Sequence, residues 1–317
     1  MKFACVFPGQ GSQAVGMMAE LAEQHSEVKE LYARASEALA YDLWEIVSQG
    51  PAEELNNTEC TQPAMLTAGV AAWKILRKST DEQPVIMAGH SLGEYTALVC
   101  ADTLKFEDAV KLVASRGRLM QEAVPEGAGS MAAILGLDDD SVKAVCEQAS
   151  DNTFVVQAVN FNSPGQVVIA GNTEAVEKAM LLAKESKAKR AIKLPVSVPS
   201  HSSLMESAAD HLGGILADIE IKAPATPVVQ NVDAKAHSDI KYIASGLQKQ
   251  LHNPVLWVDT VNSIIAQDID VIIECGPGRV LAGLNRRINK SVPNYTIDNV
   301  DNLAKLVQAL NESTTSL

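Results

Sequence analysis

The chain of 317 residues predicts an α/β fold, with a mostly parallel sheet and a smaller insert of the split-βαβ, ferredoxin-like kind. Three observations carry this. Short apolar strands alternate with amphipathic helices along most of the chain. Gly89-His90-Ser91-Leu92-Gly93, a G-x-S-x-G cassette, stands between the apolar strand Pro84-Val85-Ile86-Met87-Ala88 and a helix beginning near Glu94. After Val124-Pro125-Glu126-Gly127, a hinge-like stretch, the texture changes for about 65 residues and then reverts, a length within the size range of a small domain.

In chain order, Lys2 to Phe7 reads as a strand ending in Pro8-Gly9-Gln10-Gly11-Ser12-Gln13. Helical periodicity predicts helices over about 16–39, Gln62 to Lys78 and Asp108 to Glu122. Beyond the hinge come a strand (130–137), a helix (139–149), two strands (153–159 and 166–170), a helix (173–185) and a strand (188–194). That order is βαββαβ. The main pattern resumes with a strand at 227–232, helices over 239–250 and 254–266, a strand at 271–275, and helices over 279–287 and 301–311. The expected division is a large domain of residues 1–126 and 196–317 and a small one of 127–195.

With 47% hydrophobic and 21% charged residues the composition is that of a globular enzyme. No apolar run approaches the roughly 18–20 residues of a membrane span, and the N-terminus is interrupted too soon for a secretory signal. The five cysteines are scattered, without a C-x-x-C pair, so no disulfide framework or zinc site is expected. A cytoplasmic monomer without metal or cofactor is the expectation. The net charge of −13 argues against nucleic acid, and an anionic ligand would need a local cation.

The cassette matters because a serine on a sharp strand-to-helix turn presents Oγ clear of the sheet. The N–H of Leu92, at the start of the helix, then points at any oxygen that becomes negative on attack. The plain alternative is a glycine-punctuated loop whose serine caps a helix. A serine hydroxyl needs a base, and six histidines compete. His90 is turned away by the elbow, His25 and His211 lie in polar helices, and His237 lies in a polar loop. His201 follows the proline-stiffened Leu194-Pro195-Val196-Ser197-Val198-Pro199-Ser200 where the insert rejoins the main domain, and is the first choice; His252 is the second. A hydrolase would show Ser, then Asp or Glu, then His, whereas Asp298 and Asp301 come after His201 and read as helix N-caps, so a Ser-His dyad oriented by a backbone carbonyl is expected.

Gly9-Gln10-Gly11-Ser12-Gln13-Ala14 matches G-x-G-x-x-A, but the helix that follows lacks the acidic second strand of a dinucleotide site. Its expected use is to set the Gln10 N–H beside that of Leu92 as a second oxyanion donor. Arg116 and Met120, at i and i+4, share a helix face, and Gly117 between them suggests a close approach. An arginine fork suits a carboxylate substrate, with a solvated or ion-paired arginine as the alternative.

Together these motifs resemble the malonyl-CoA:acyl-carrier-protein transacylases of fatty-acid synthesis. The resemblance runs through Phe7-Pro8-Gly9-Gln10-Gly11-Ser12-Gln13, Gly89-His90-Ser91-Leu92-Gly93-Glu94-Tyr95, Arg116-Gly117 with Met120-Gln121, and Asn160-Phe161-Asn162-Ser163-Pro164-Gly165-Gln166. It continues in Val198-Pro199-Ser200-His201, Asn253-Pro254-Val255 and Gly276-Pro277-Gly278. It implies a hydrolase-like α/β domain with a ferredoxin-like insert, Ser91 as the acylated residue and His201 as its base and later acid. It further implies Arg116 as the grip on a malonyl carboxylate, Gln10 and Leu92 as oxyanion donors, and Gln250 near His201 with its carbonyl as orienting acceptor. Met120, on the Arg116 face, completes the expected substrate-binding set. His252, where an aromatic is often seen, and Cys275 depart from the commoner pattern.

The implied partners are malonyl-CoA and a transiently bound acidic carrier protein, steered by Lys184, Lys187, Lys189 and Arg190 or by Arg286 and Arg287. A polyketide-type acyltransferase, a serine thioesterase using the same dyad, and a non-catalytic carrier-binding module are the other readings.

Overall fold

The computed structural model describes residues 1–196 and 198–315; Ser197 in the proline-stiffened segment and the last two residues of the polar tail lie outside them. Strand β1 (Phe3–Phe7) shows why the main sheet is central: Phe3, Cys5 and Phe7 pack into one apolar cluster, Ala4 and Val6 into another. A strand buried on both faces is the signature of a parallel sheet covered by helices on each side.

Helices α1 (Ala19–Gln24) and α2 (Ser26–Leu39) replace the single helix expected over 16–39. Met18 at φ 64 and the extended backbone of His25 break the helical path there. Two short helices that the sequence did not signal, α3 (Leu43–Gln49) and α4 (Ala52–Leu55), lead into α5 (Thr58–Ser79), which is capped by the Asn57 side chain and keeps Pro63. Strand β2 (Ile86–Gly89) runs into α6 (Leu92–Cys100), followed by α7 (Phe106–Glu122).

The insert holds β3 (Gly129–Leu135), α8 (Asp139–Ala149), β4 (Val156–Ser163), β5 (Gln166–Asn172), α9 (Thr173–Glu185) and β6 (Arg190–Lys193). Its sheet is antiparallel in the order β4-β5-β3-β6, the ferredoxin-like arrangement, and α8 and α9 close an apolar core of Ile134, Val142, Val176 and neighbours. Strand β4 starts and ends later than the expected 153–159, and two register shifts let it run on to Ser163.

The chain returns through α10 (Glu206–Ala217), the two-residue β7 (Val228–Val229), α11 (Ile240–Gln250) and α12 (Trp257–Ile265). It ends with β8 (Val271–Cys275), α13 (Val280–Ile288), β9 (Asn294–Ile297) and α14 (Val300–Thr315). The main sheet is parallel, in the order β7-β2-β1-β8-β9. Strand β9 gave no sequence signal: Asn294-Tyr295-Thr296-Ile297 is a short edge strand behind a proline, with too few residues to show alternation. Because β1 pairs with β2 up to Phe7 and Gly89, the loop after β1 and the elbow after β2 emerge side by side. This is the carboxyl edge of the sheet, where open α/β folds hold their ligands.

The insert closes over that edge. Val255, just past α11, pairs with β4: its N–H donates to Val159 O at 2.8 Å, and it accepts from Phe161 N–H at 3.0 Å. His90 reaches across the same seam, its Nε2 standing 2.8 Å from Asn162 Oδ1.

Candidate active site

Ser91 occupies the turn between β2 and α6 with φ 52 and ψ −109, a backbone state that costs a non-glycine residue about 1–3 kcal/mol. Packing and hydrogen bonds hold it there. Gly93 lies so close to the Phe7 carbonyl that any β-carbon would overlap it, which seats α6 tightly on β1. Asn231, buried beyond the end of β7, clasps the turn from behind. Its Oδ1 accepts from Ser91 N–H at 2.7 Å and its Nδ2 donates to Gly89 O at 2.7 Å.

His201 reaches the serine from the loop that enters α10, also with a left-handed backbone, φ 66. Its Nε2 lies 2.8 Å from Ser91 Oγ, and its Nδ1 lies 2.6 Å from the Gln250 carbonyl. A carbonyl only accepts, so Nδ1 carries the proton and the Nε2 lone pair faces the serine hydroxyl. The His201 N–H is itself tied to Leu251 O at 2.8 Å. Burial, and then the positive charge of Arg116, push the imidazole down to about 3, with the Gln250 carbonyl acting the other way. The ring is neutral at ordinary pH.

Arg116, on α7, is 1% exposed. Its Nη2 donates to Ser91 Oγ at 3.2 Å and to Gln250 Oε1 at 3.0 Å, its Nη1 donates to Gln62 Oε1 at 2.9 Å, and its guanidinium lies 5.3 Å from the Tyr95 ring centre. Nε is a buried donor with no acceptor among the described residues. Gly117 explains how a charged helix face comes so near: a β-carbon there would strike Thr58 O and the Glu59 backbone, so the glycine lets α7 lie against the start of α5, which carries Gln62. Met120 lies one turn after Arg116 on α7. It is buried in the main core, and its Sδ receives Gln62 Nε2 at 3.6 Å, so it steadies the residue that steadies Arg116.

Leu92, the first residue of α6, is buried at the turn, and Gly9 backs onto the His90 carbonyl and the Leu92 nitrogen. The Gln10 side chain is turned to α5, with Nε2 3.4 Å from Thr58 Oγ1. His252 is half-buried and bonds neither Ser91 nor His201; its Nδ1 has no hydrogen-bond partner among the described residues. Glu94 is fully buried three residues after the serine, and burial pushes it up to about 7 against hydrogen bonds that favour the ionised form.

Residues 4–311 match the acyl transferase domain family. The chain belongs to the acyl transferase family. This acyl transferase is 56% identical over 287 residues to the malonyl CoA-acyl carrier protein transacylase of Salmonella typhimurium, covering 90% of this chain and 93% of that one. It is 43% identical over 311 residues to the Bacillus subtilis protein of that name, covering 98% of each. An acyl carrier protein S-malonyltransferase from Vibrio cholerae superposes with a TM-score of 0.94 at 53% identity, over 96% of this chain and 100% of that one. A malonyl-transacylase solved in complex with its type II PKS acyl-carrier protein superposes at 0.95 and 49% identity, over 98% and 100%.

Three buried side chains of this acyl transferase's site had no signal of their own in the sequence: Gln62, Asn231 and the Glu94 carboxylate. Gln62, set just before the apolar run Pro63-Ala64-Met65-Leu66 of α5, is the one whose place in the sequence could have revealed it.

Proposed function

We propose that this acyl transferase moves a malonyl group from malonyl-CoA to the phosphopantetheine thiol of an acyl carrier protein in fatty-acid synthesis, through a Ser91 ester. One observation carries the reading: a buried guanidinium stands 3.2 Å from the nucleophilic oxygen, with a further N–H lacking an acceptor. A cation so placed suits an acyl group that ends in its own carboxylate. Relatives named malonyl CoA-acyl carrier protein transacylase at up to 56% identity support it.

In the first half-reaction Ser91 Oγ attacks the thioester carbonyl carbon while His201 Nε2 takes the hydroxyl proton. The oxyanion rests against the N–H groups of Leu92 and Gln10, donors of a kind whose loss costs on the order of 10²–10³ in rate. The C–S bond then breaks, and the proton on Nε2 passes to the departing CoA sulfur. The carrier thiol reverses these steps, attacking the Ser91 ester and giving its proton to His201. The Gln250 carbonyl keeps Nδ1–H in place throughout, and Arg116 holds the malonyl carboxylate while Met120 supports it through Gln62. The chemistry calls for neither metal nor cofactor.

The carrier is expected to be acidic and to dock on basic side chains. Lys189 from the insert and Arg287 from α13 line one groove of about 500 Å³ at the seam, where Arg287 Nη1 donates to Gln166 Oε1 at 2.5 Å. The groove thus draws on both basic patches. Among the described residues no helix is long and apolar enough to cross a membrane; that the enzyme acts as a monomer in the cytoplasm is part of the proposal.

The test is intact-protein mass spectrometry after exposure to malonyl-CoA. A malonyl adduct on the parent that is absent from Ser91→Ala supports the proposal. Adduct that persists in the variant, or free malonate released faster than carrier is loaded, overturns it.

A further inference from the structure

Glu94 is a buried ionisable group that the reaction as derived leaves without a part. It lies in the first turn of α6, yet its bonds go to other elements. Oε2 accepts from the Asn231 N–H at 2.9 Å and from Gln250 Nε2 at 2.8 Å, and Oε1 accepts from Gln230 Nε2 at 3.4 Å. All three partners are donors. A protonated carboxyl would find no acceptor among them, so the arrangement fits the carboxylate.

Two of those partners are the supports of the dyad. Asn231 clasps the backbone on both sides of Ser91. Gln250 supplies the carbonyl that orients His201, and its side-chain amide is held at both ends by opposite charges. Nε2 donates to Glu94 and to Ser91 O at 3.0 Å, while Oε1 accepts from Arg116. Reversing that amide would set oxygen against carboxylate and N–H against guanidinium. The buried charge of Arg116 thus finds its counter-charge in Glu94, with the Gln250 amide between them.

We infer that Glu94 is a positioning residue of the transfer reaction: through Asn231 and Gln250 its carboxylate fixes the nucleophile turn and the base in one geometry, and it balances Arg116. The inference rests on the reading of Ser91 as nucleophile and His201 as base, but not on which acyl group Ser91 carries.

The decisive variant is Glu94→Gln, of nearly equal volume, which removes the charge and sets an N–H against the donors of its neighbours. Two single-turnover rates are read: malonylation of Ser91 by malonyl-CoA, and sulfonylation of Ser91 by phenylmethylsulfonyl fluoride. In the second, an O–S bond forms, fluoride leaves and His201 takes the proton, and no carboxylate takes part.

The expected result is a fall of about tenfold or more in the saturating malonylation rate, with half-saturating malonyl-CoA unchanged and sulfonylation slowed by a similar factor. Combined with Gln250→Met, the two losses should be less than multiplicative, because both act on one amide. Parent-like rates, a loss confined to half-saturation, or fully multiplicative losses overturn the inference. Where Glu94→Gln does not fold, Glu94→Asp, which keeps the charge on a shorter arm, is read in the same way: a slowed serine at unchanged half-saturation supports it, and a parent-like rate overturns it. A parent protein that is sulfonylated but never malonylated would sink the malonyl reading alone, and the sulfonylation rates would still decide the part of Glu94.

Discussion

Arg116 Nη2 donates to Ser91 Oγ at 3.2 Å, so the residue that would recognise the substrate also touches the atom that would attack it. The serine oxygen sits between a cation on one side and the neutral His201 imidazole on the other, all three buried or half-buried. Recognition and reactivity therefore share one electrostatic setting, and a change at Arg116 should be felt in both.

Replacing Arg116 by alanine separates the two. The variant leaves Gln62 Oε1 and Gln250 Oε1 without their charged donor and a malonyl carboxylate without a partner. Malonyl transfer should fall by on the order of 10²-fold or more, whereas acetyl transfer, which never used the charge, should fall by less than about tenfold. Equal losses for malonyl-CoA and acetyl-CoA in parallel single-turnover assays would remove Arg116 from substrate recognition.

Asn231 makes a prediction about the turn itself. Its side chain satisfies one donor and one acceptor flanking a residue with positive φ. In Asn231→Ala the Ser91 N–H and Gly89 O lose those partners, a cost on the order of 3 kcal/mol for two buried groups. The turn is also freed to relax from its strained state. Denaturant unfolding should show the lower stability, and acylation of Ser91 should slow even in protein that remains folded. A variant that melts earlier but acylates at the parent rate would show that the clasp serves the fold alone.

What could be read in the sequence divides by the kind of signal each residue carries. The elbow was legible because glycines on either side of a serine, after an apolar strand, state a local backbone requirement. His201 was legible because prolines stiffen the segment before it. The Gln250 carbonyl came only through resemblance, since a main-chain acceptor leaves no mark on residue type. Asn231 and Gln62 meet their partners across 140 and 54 residues, with no local pattern that could announce them. The place of Met120 on the Arg116 face is legible from helix spacing, whereas its contact with Gln62 on α5 is not, because it joins residues 58 positions apart. The break at Met18 came from a left-handed residue that periodicity does not see.

The groove at the seam offers a prediction about the carrier. Lys189→Glu with Arg287→Glu reverses two charges on its walls. At low salt the pair should slow loading of an acidic carrier by on the order of tenfold, and added salt should shrink the difference from the parent protein. The loss should be larger for the carrier half-reaction than for acylation by malonyl-CoA. Carrier loading at the parent rate at low salt would place docking elsewhere.

The last prediction concerns pH. Burial is the largest influence on His201; Arg116 and His90 also lower its affinity for a proton, the Gln250 carbonyl and the Asn253 backbone raise it, and the ring is held at about 3 against an ordinary 6.5. The folded protein keeps this imidazole neutral where the unfolded chain protonates it. Between those two values the unfolded state binds more protons, so the contribution of His201 to stability is present above about 6.5 and is lost as pH falls toward 3. On the proposed mechanism the neutral ring is the base, so Ser91 acylation by acetyl-CoA should persist to pH values well below those at which an ordinary histidine would be protonated. Arg116→Ala removes one of the charges that depress the ring while leaving burial in place. Its acid limb should therefore move to higher pH than in the parent protein and remain below 6.5. Single-turnover acetylation of both proteins across pH measures the two limbs directly. Coincident limbs would mean that Arg116 does not set the basicity of His201, and a limb in the variant at lower pH than in the parent would contradict the sign of the effect.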